Sequence, residues 1–247
     1  MTTPEEKELE TKKAQLAELE DTLASHELDL ITLKAELSTF QGIYIQTVGR
    51  LLVEVDEVEA QIAEKLAKKN PSTTTKESAK VSREQASQSF RDYEKESLPK
   101  LPIKDFVATE ELKKLFRDVA KKIHPDLAKS EKDRIIREDL MKKLNEAYQN
   151  GDIEKIKSIL VEYESSPDLI EGKDIGAELI RTIRNIALVS SRVNQIKDEI
   201  QILVNSDIYD FKNKVAQGRE KGRDLLQEMA NQLAVQLANL KKQLELI

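Results

Sequence analysis

The sequence contains no cysteine and no tryptophan, and its 247 residues include only 7 glycines, 6 prolines and 2 histidines. Without cysteine there are no disulfides, no thiol catalysis and no cysteine-bearing zinc site, and two histidines give little basis for a histidine-based metal centre. Aromatic residues make up 4% of the chain, which is little for a deep enzyme pocket. Few turn-forming residues together with 35% charged residues favour long helices. We therefore expect an all-α protein that is not an enzyme and uses no cofactor or metal.

The chain also lacks a long apolar run. Its first ten residues are acidic and contain no apolar stretch typical of a signal peptide. No segment has the roughly 20 apolar residues that a membrane-spanning helix requires, so we expect a cytoplasmic protein with no membrane span. The net charge is −6, and the middle of the chain, residues 100–163, has 15 basic and 13 acidic side chains. This excess is too small for a nucleic-acid surface, but it leaves an acidic protein partner open.

Apolar residues recur every seven positions in residues 1–69, beginning at Leu9. A companion row three positions further on is interrupted by His26, which we expect to set the pairing register without binding a metal. The companion row later shifts by one position. Two interpretations follow, one long rod or a helical hairpin that turns near residues 38–42. We favour the hairpin because the shift coincides with Gly42. The heptads also allow a homodimer.

Polar and proline-containing stretches divide the rest of the chain. The run that begins at Asn70 predicts a linker, and a second break follows residue 164. Beyond that break, apolar periodicity predicts helices over 174–204 and 207–246 that pair as an antiparallel hairpin. The predicted order is N-terminal coiled-coil helices over 1–69, a polar linker over 70–85, a middle helical segment over 86–163 and a C-terminal hairpin over 168–247.

The middle segment has the strongest local pattern. Thr109 is a good N-cap for a helix over 110–123, and Pro125 ends that helix. A second helix is expected from about Lys132 to Gln149, and Asp152 caps a third. The apolar residues expected in the core are Leu112, Leu115, Phe116, Val119, Ile123, Ile136, Leu140, Met141, Leu144, Tyr148, Ile153, Ile156, Ile159 and Leu160.

The tripeptide His124-Pro125-Asp126 directly follows this amphipathic helix. Because Pro125 fixes a backbone angle and ends the helix, we expect His124 and Asp126 to lie on an exposed, semi-rigid bend. Lys113, Arg117 and Lys121 recur every four positions and form one basic stripe. A basic stripe beside a rigid polar tip suits docking to an acidic protein groove.

The stretch TEELKKLFRDVAKKIHPDL, followed by KKLNEAYQNGD, resembles a J-domain, the module of DnaJ-type co-chaperones. The resemblance covers about residues 86–162. In that family a His-Pro-Asp loop joins two antiparallel helices and stimulates ATP hydrolysis by a DnaK-type chaperone, to which the helix before the loop presents basic side chains. The resemblance therefore implies partner binding by His124, Pro125, Asp126, Lys113, Lys114, Arg117, Lys121 and Lys122.

The sequence departs from the family at several positions. Asp118 lies where a basic residue is common, Leu127 replaces the usual Lys after the tripeptide, and Ile123 replaces an aromatic residue. The opening Y-x-x-L-G-V signature is absent, so the first helix is expected from about residues 86–97.

The resemblance implies a co-chaperone whose helical arms bind a client, a scaffold protein or a second copy of the chain. In this interpretation the J-like segment folds and acts independently of residues 1–69. The alternative is a structural coiled-coil interaction protein with a J-like segment that does not stimulate. An enzyme is the weakest hypothesis, because no nucleophile, metal cluster or phosphate-binding loop accompanies His124 and Asp126.

Overall fold

The computed structural model describes residues 3–97, 106–128, 130–164 and 175–247. These residues form helices and no β-strand, which confirms the predicted all-α class. The elements are α1 (Pro4–Tyr44), a π turn (Ile45–Gly49), α2 (Arg50–Lys69), α3 (Thr73–Ser97), α4 (Glu110–Ile123), a 3-10 turn (Pro125–Leu127), α5 (Glu131–Gln149), α6 (Ile153–Glu164), α7 (Ile175–Val204), α8 (Asp207–Glu220) and α9 (Leu225–Leu246). His124 and the 3-10 turn are together called the His-Pro-Asp turn below.

The chain divides into two compact units that are not consecutive in sequence. The first comprises residues 1–36 and 106–206, and the second comprises residues 37–105 and 207–247. The predicted consecutive domains are therefore wrong. The middle segment is split because α3 belongs to the second unit, and the C-terminal hairpin is split because α7 belongs to the first unit and α8 and α9 to the second.

The hairpin predicted near residues 38–42 is also wrong. Helix α1 continues through Gly42 to Tyr44, and the π turn leads into α2 with right-handed helical backbone at both Tyr44 and Arg50. A π turn adds one residue to a helical turn, so the apolar face moves by one position along the sequence. The insertion accounts for the one-position shift in the heptad pattern without a change of chain direction.

The predicted linker over 70–85 is helical from Thr73 onward. Ser72 and Thr75 cap the start of α3 reciprocally: each backbone N–H donates to the hydroxyl of the other residue, at 3.0 and 3.1 Å. Arg83 then binds two carboxylates of α2, those of Glu57 and Glu64. The segment is polar because α3 buries little of its own surface, and it is a helix because α2 packs against it.

In the first unit, α4, α5 and α6 pack on one another with close to the predicted bounds. Thr109 accepts the Leu112 N–H at 3.2 Å and Asp152 accepts the Lys155 N–H at 2.9 Å, so both predicted N-caps are confirmed. The predicted core is confirmed as well. Its fully buried members include Leu112, Phe116, Val119, Ile123, Leu140, Leu144, Tyr148, Ile156 and Ile159.

Helix α1 completes this core in place of the helix expected from residues 86–97. Ala24, Leu28 and Ile31 of α1 lie in the same apolar cluster as α4, α5 and α6. The Thr32 hydroxyl is 2.7 Å from the Tyr148 hydroxyl of α5. Helices α4, α5 and α6 are therefore not independent of the N-terminal helix, contrary to the prediction.

A second face of α1 packs against α7. Leu23 and Leu30, which belong to the heptad row, form a separate cluster with Val189, Val193 and Ile196 of α7. The heptad prediction identified this face correctly. It did not reveal the neighbouring face that enters the core of α4, α5 and α6.

In the second unit, α2 contacts both α3 and α9. The predicted helix over 207–246 is broken into α8 and α9. At the break, Gly222 has φ +73°, and the N–H groups of Gly222 and Arg223 donate to the carbonyls of Arg219 and Gly218, both at 2.9 Å. This pattern is a Schellman C-cap, which ends α8.

None of the helices in the described ranges combines the length and hydropathy needed to cross a bilayer.

Candidate partner-docking site

The His-Pro-Asp turn is built by short-range backbone bonds at the end of α4. His124 leaves the helix with ψ 133°, and Pro125 begins the 3-10 turn. The Leu127 N–H donates to the His124 carbonyl at 3.1 Å, and the Asp126 N–H donates to His124 Nδ1 at 3.2 Å. Because Nδ1 accepts this bond, the neutral imidazole carries its proton on Nε2.

The expectation that His124 is exposed is wrong. The residue is only 2% exposed, and its Nε2 lies 3.3 Å from Oε1 of Glu27 on α1. Asp126 is different, since its side chain is 29% exposed, with one carboxylate oxygen 3.8 Å from His124 Nδ1. Pro125 bends the chain as predicted and the bend is partly exposed, but the His124 imidazole lies inward against α1 instead of projecting into solvent.

Arg192 of α7 joins the same contact. Its Nε and Nη2 donate to the Glu27 oxygen that faces His124, at 3.1 and 2.9 Å, and its Nη1 donates to Glu199 at 3.2 Å. Burial would raise the pKa of Glu27, but the His124 hydrogen bond and the Arg192 charge together hold that pKa below its usual value. Glu27 is therefore an ionised carboxylate at neutral pH, shared between an imidazole and a guanidinium.

Arg137 of α5 fixes the turn from the opposite side. It is 4% exposed, and its Nη1 donates to the carbonyls of Lys122 and His124 at 3.0 and 3.1 Å. Its remaining donors bind the Asp133 carboxylate and the Tyr163 hydroxyl. The guanidinium thus satisfies carbonyls at the end of α4 that the helix itself leaves without a partner.

The predicted basic residues of α4 differ in their surroundings. Lys114, Arg117 and Lys122 are exposed. Lys113 and Lys121 are partly buried and paired. Lys113 binds Glu110 of its own helix at 2.9 Å, and Lys121 binds Asp21 of α1 at 2.6 Å. The structure therefore places three of the five cations on an open surface and one against the acidic side of α1.

Leu127 explains one departure from the J-domain pattern. Its side chain packs against the cluster of Leu23, Leu30 and Val189, which α1 and α7 share. A lysine at position 127 would bring an ammonium group to this apolar cluster, where it would have to reach water or lose hydration. The leucine is therefore suited to a turn that lies against α7.

Three residues of the site were missed by the sequence analysis, namely Glu27, Arg137 and Arg192. Glu27 had a weak local signal, since it lies between Leu23 and Leu30 in a stretch where most neighbours are apolar. Arg137 and Arg192 had none, because a charged residue on a helix is usually solvated. Only the packing of α1, α5 and α7 around the turn gives them a role.

No group of three or more metal-ligand side chains occurs within the described ranges. Nδ1 of His26 lies 3.9 Å from a carboxylate oxygen of Asp29. The second unit has an open groove of about 650 Å³ lined by Val53, Ala86, Phe90 and other residues of α2, α3 and α9. None of the predicted partner-binding residues lines this groove.

Comparison with known proteins adds no relative. The chain matches no protein-family model, no curated protein and no solved structure.

Proposed function

We propose that this chain is a cytoplasmic, DnaJ-like co-chaperone that docks on a DnaK-type chaperone and stimulates its ATP hydrolysis. The observation that carries the proposal is the arrangement of α4, the His-Pro-Asp turn and α5. Helix α4, on which Lys114, Arg117 and Lys122 are exposed, ends directly at the turn. Helix α5 follows the turn and packs on α4, so the two helices form an antiparallel pair. The helical arms would bind a client or a scaffold protein.

The chain itself would catalyse nothing in this mechanism. Exposed lysine and arginine side chains accelerate encounter with an acidic surface and select its orientation. Contact by the turn then favours one conformation of the partner ATPase. Pro125 and Asp126 are the members of the tripeptide that are accessible to such a partner without rearrangement, since both are partly exposed.

The test is single-turnover ATP hydrolysis by a DnaK-type chaperone from the same organism. We expect stimulation by the wild type that Asp126→Asn and His124→Gln both abolish. Gln at position 124 retains an N–H donor for Glu27, so the fold should survive, and circular dichroism checks this. Lys143→Ala is the control, because Lys143 pairs with Asp139 and Glu162 on an exposed surface. Equal stimulation by wild type and Asp126→Asn would contradict the proposal.

A second candidate function is a coiled-coil interaction protein whose J-like segment does not stimulate. The burial of His124 favours it, because a partner cannot reach that imidazole in this conformation. This candidate predicts no stimulation by the wild type or by any variant that uncovers the turn. It is then the helical arms that carry the function.

A further inference from the structure

We infer that α7 is a removable cover over the His-Pro-Asp turn, latched by the ion pair between Glu27 and Arg192, and that its release switches partner docking on. The inference rests on the proposed function and concerns the regulation of the same site. In the closed state, Glu27 occupies His124 and Asp21 occupies Lys121. Helix α7 packs along the turn and holds Glu27 through Arg192, so its release uncovers the turn and frees Glu27 from the guanidinium.

The first argument is that α7 packs separately from the core of the J-like helices. Its buried residues Val189, Val193 and Ile196 cluster with α1 and Leu127, whereas α4, α5 and α6 share a different cluster with Ala24 and other residues of α1. Removal of α7 would therefore expose the smaller cluster and leave the larger core intact. A helix that contributes to the main core could not leave without unfolding the domain.

The second argument concerns the chemistry of the latch. The ion pair is only partly buried, since the Arg192 side chain is 29% exposed, and such a pair adds little net stability because screening and desolvation offset most of the attraction. It is, however, specific, since Glu27 accepts from both His124 and Arg192 at one oxygen. A contact of this kind selects the closed conformation and opens at modest free-energy cost, as a switch requires.

The third argument is Leu127. An exposed loop that serves only as a docking tip has no need of an apolar side chain, yet Leu127 packs on the cluster that holds α7. The turn therefore contacts α7 directly through Leu127, while His124 is linked to α7 through Glu27 of α1, which Arg192 also binds. When α7 moves away, Leu127 loses its apolar cover and Glu27 loses Arg192, whereas Glu27 stays beside the turn on α1.

The test measures opening and stimulation separately in the full chain. The variants are Arg192→Ala, which breaks the latch outside α4, and Leu127→Lys, which weakens the apolar contact. Lys13→Ala is the matched control, because Lys13 pairs with Glu178 of α7 at 2.7 Å without contact to the turn. Arg192→Ala is the decisive variant, since a lysine at position 127 could contact the partner directly.

Opening is read from the reaction of histidine with diethyl pyrocarbonate at neutral pH, mapped by mass spectrometry. The chain has only two histidines, and His26 is the internal reference because its side chain is 26% exposed. In the wild type we expect slow reaction of His124 relative to His26. Arg192→Ala and Leu127→Lys should accelerate the reaction of His124 about tenfold, which corresponds to about 1.4 kcal/mol in an opening equilibrium. Lys13→Ala should react as the wild type does.

Stimulation of the chaperone's ATP hydrolysis is then measured with the same proteins. A rise in both His124 reactivity and stimulation in Arg192→Ala supports the inference. The cover is overturned if His124 of the wild type reacts as fast as His26. It is also overturned if His124 reacts no faster in either variant than in the wild type. Full stimulation by the wild type with no rise in Arg192→Ala overturns the switch and leaves the proposed function in place. Opening of the turn without stimulation in any variant overturns the proposed function, and the regulatory role with it.

Discussion

Arg137 and Arg192 bring two guanidinium groups toward the same turn, but their surroundings differ. Arg137 is almost fully buried and binds two backbone carbonyls, a carboxylate and a hydroxyl. The Arg192 side chain is 29% exposed and binds only the carboxylates of Glu27 and Glu199. Loss of Arg137 removes a hydrogen-bond donor from acceptors that are buried inside the domain. Water can instead take the place of the Arg192 guanidinium, because that side chain is partly exposed. Arg137 is therefore structural, and Arg192 is suited to a contact that opens.

At the residue scale, we predict that Arg137→Met destabilises the first unit by about 3 kcal/mol, the usual effect of removing one partner of a buried pair. The carbonyls of Lys122 and His124 and the Asp133 carboxylate each lose the hydrogen bond from the Arg137 guanidinium. Urea unfolding followed by circular dichroism measures the change. Arg134→Met is the control, because Arg134 pairs with Glu138 on the exposed side of the same helix and should change stability by less than about 1 kcal/mol. Similar effects of the two substitutions would contradict the role assigned to Arg137.

At the element scale, the break between α8 and α9 depends on two glycines with different tasks. Gly222 supplies the left-handed backbone that ends α8. Gly218 is buried, and a β-carbon there would lie 2.8 Å from Leu225 Cγ, the first residue of α9. The close approach of the two helices at their junction therefore requires the absence of a side chain at position 218.

We predict that Gly218→Ala destabilises the second unit by about 1–3 kcal/mol, as overpacking usually does. The gain in helix propensity from Gly to Ala, about 1 kcal/mol, offsets only part of that loss. Gly49→Ala is the contrast, because its β-carbon would meet Tyr93 at an ordinary contact distance of 3.4 Å. Thermal unfolding should show a lower midpoint for Gly218→Ala and an unchanged or higher midpoint for Gly49→Ala. A lower midpoint for both would mean that the Leu225 contact is not the cause.

At the scale of the whole molecule, helix α1 connects segments that are distant in sequence. One face contributes Ala24, Leu28 and Ile31 to the core of α4, α5 and α6, and the adjacent face contributes Leu23 and Leu30 to the cluster with α7. Glu27 lies between the two faces and is only 7% exposed. Helices α4, α5 and α6 on one side and α7 on the other thus pack against the same N-terminal helix.

We predict that a chain lacking residues 1–36 loses the fold of α4, α5 and α6. Each buried leucine or isoleucine contributes about 1.5–3 kcal/mol, so the loss of Leu28 and Ile31 removes about 3–6 kcal/mol, which reaches the lower end of the roughly 5–15 kcal/mol stability of a typical domain. Amide hydrogen exchange should show faster exchange in residues 110–164 of the truncated chain, and a synthetic peptide of residues 12–36 should restore protection. A peptide with Leu28→Asp is the control and should restore none. Full protection in the truncated chain would contradict the packing of α1.

Local sequence patterns predicted the helices of the middle segment well. The N-caps Thr109 and Asp152, the stop at Pro125 and the apolar stripe of α4 all depend on residues within a few positions of one another. The all-α class, the bounds of α4 and the core positions followed from the same short-range rules. The polar composition of α3 misled the analysis, because that helix is stabilised by capping and by ion pairs with α2 and not by a broad apolar face.

The sequence by itself determined where α4, α5 and α7 begin and end, which faces are apolar, and that a basic helix ends at His124-Pro125-Asp126. Only the tertiary structure decided that α1 replaces the expected first helix, that α7 is in the first unit, and that His124 is covered. These outcomes depend on contacts between residues some 100 or more positions apart, such as Glu27 with His124 and with Arg192. Helical periodicity reports that a face is apolar but not which helix covers it. The accessibility of the turn is therefore a property of the assembled unit and not of the tripeptide.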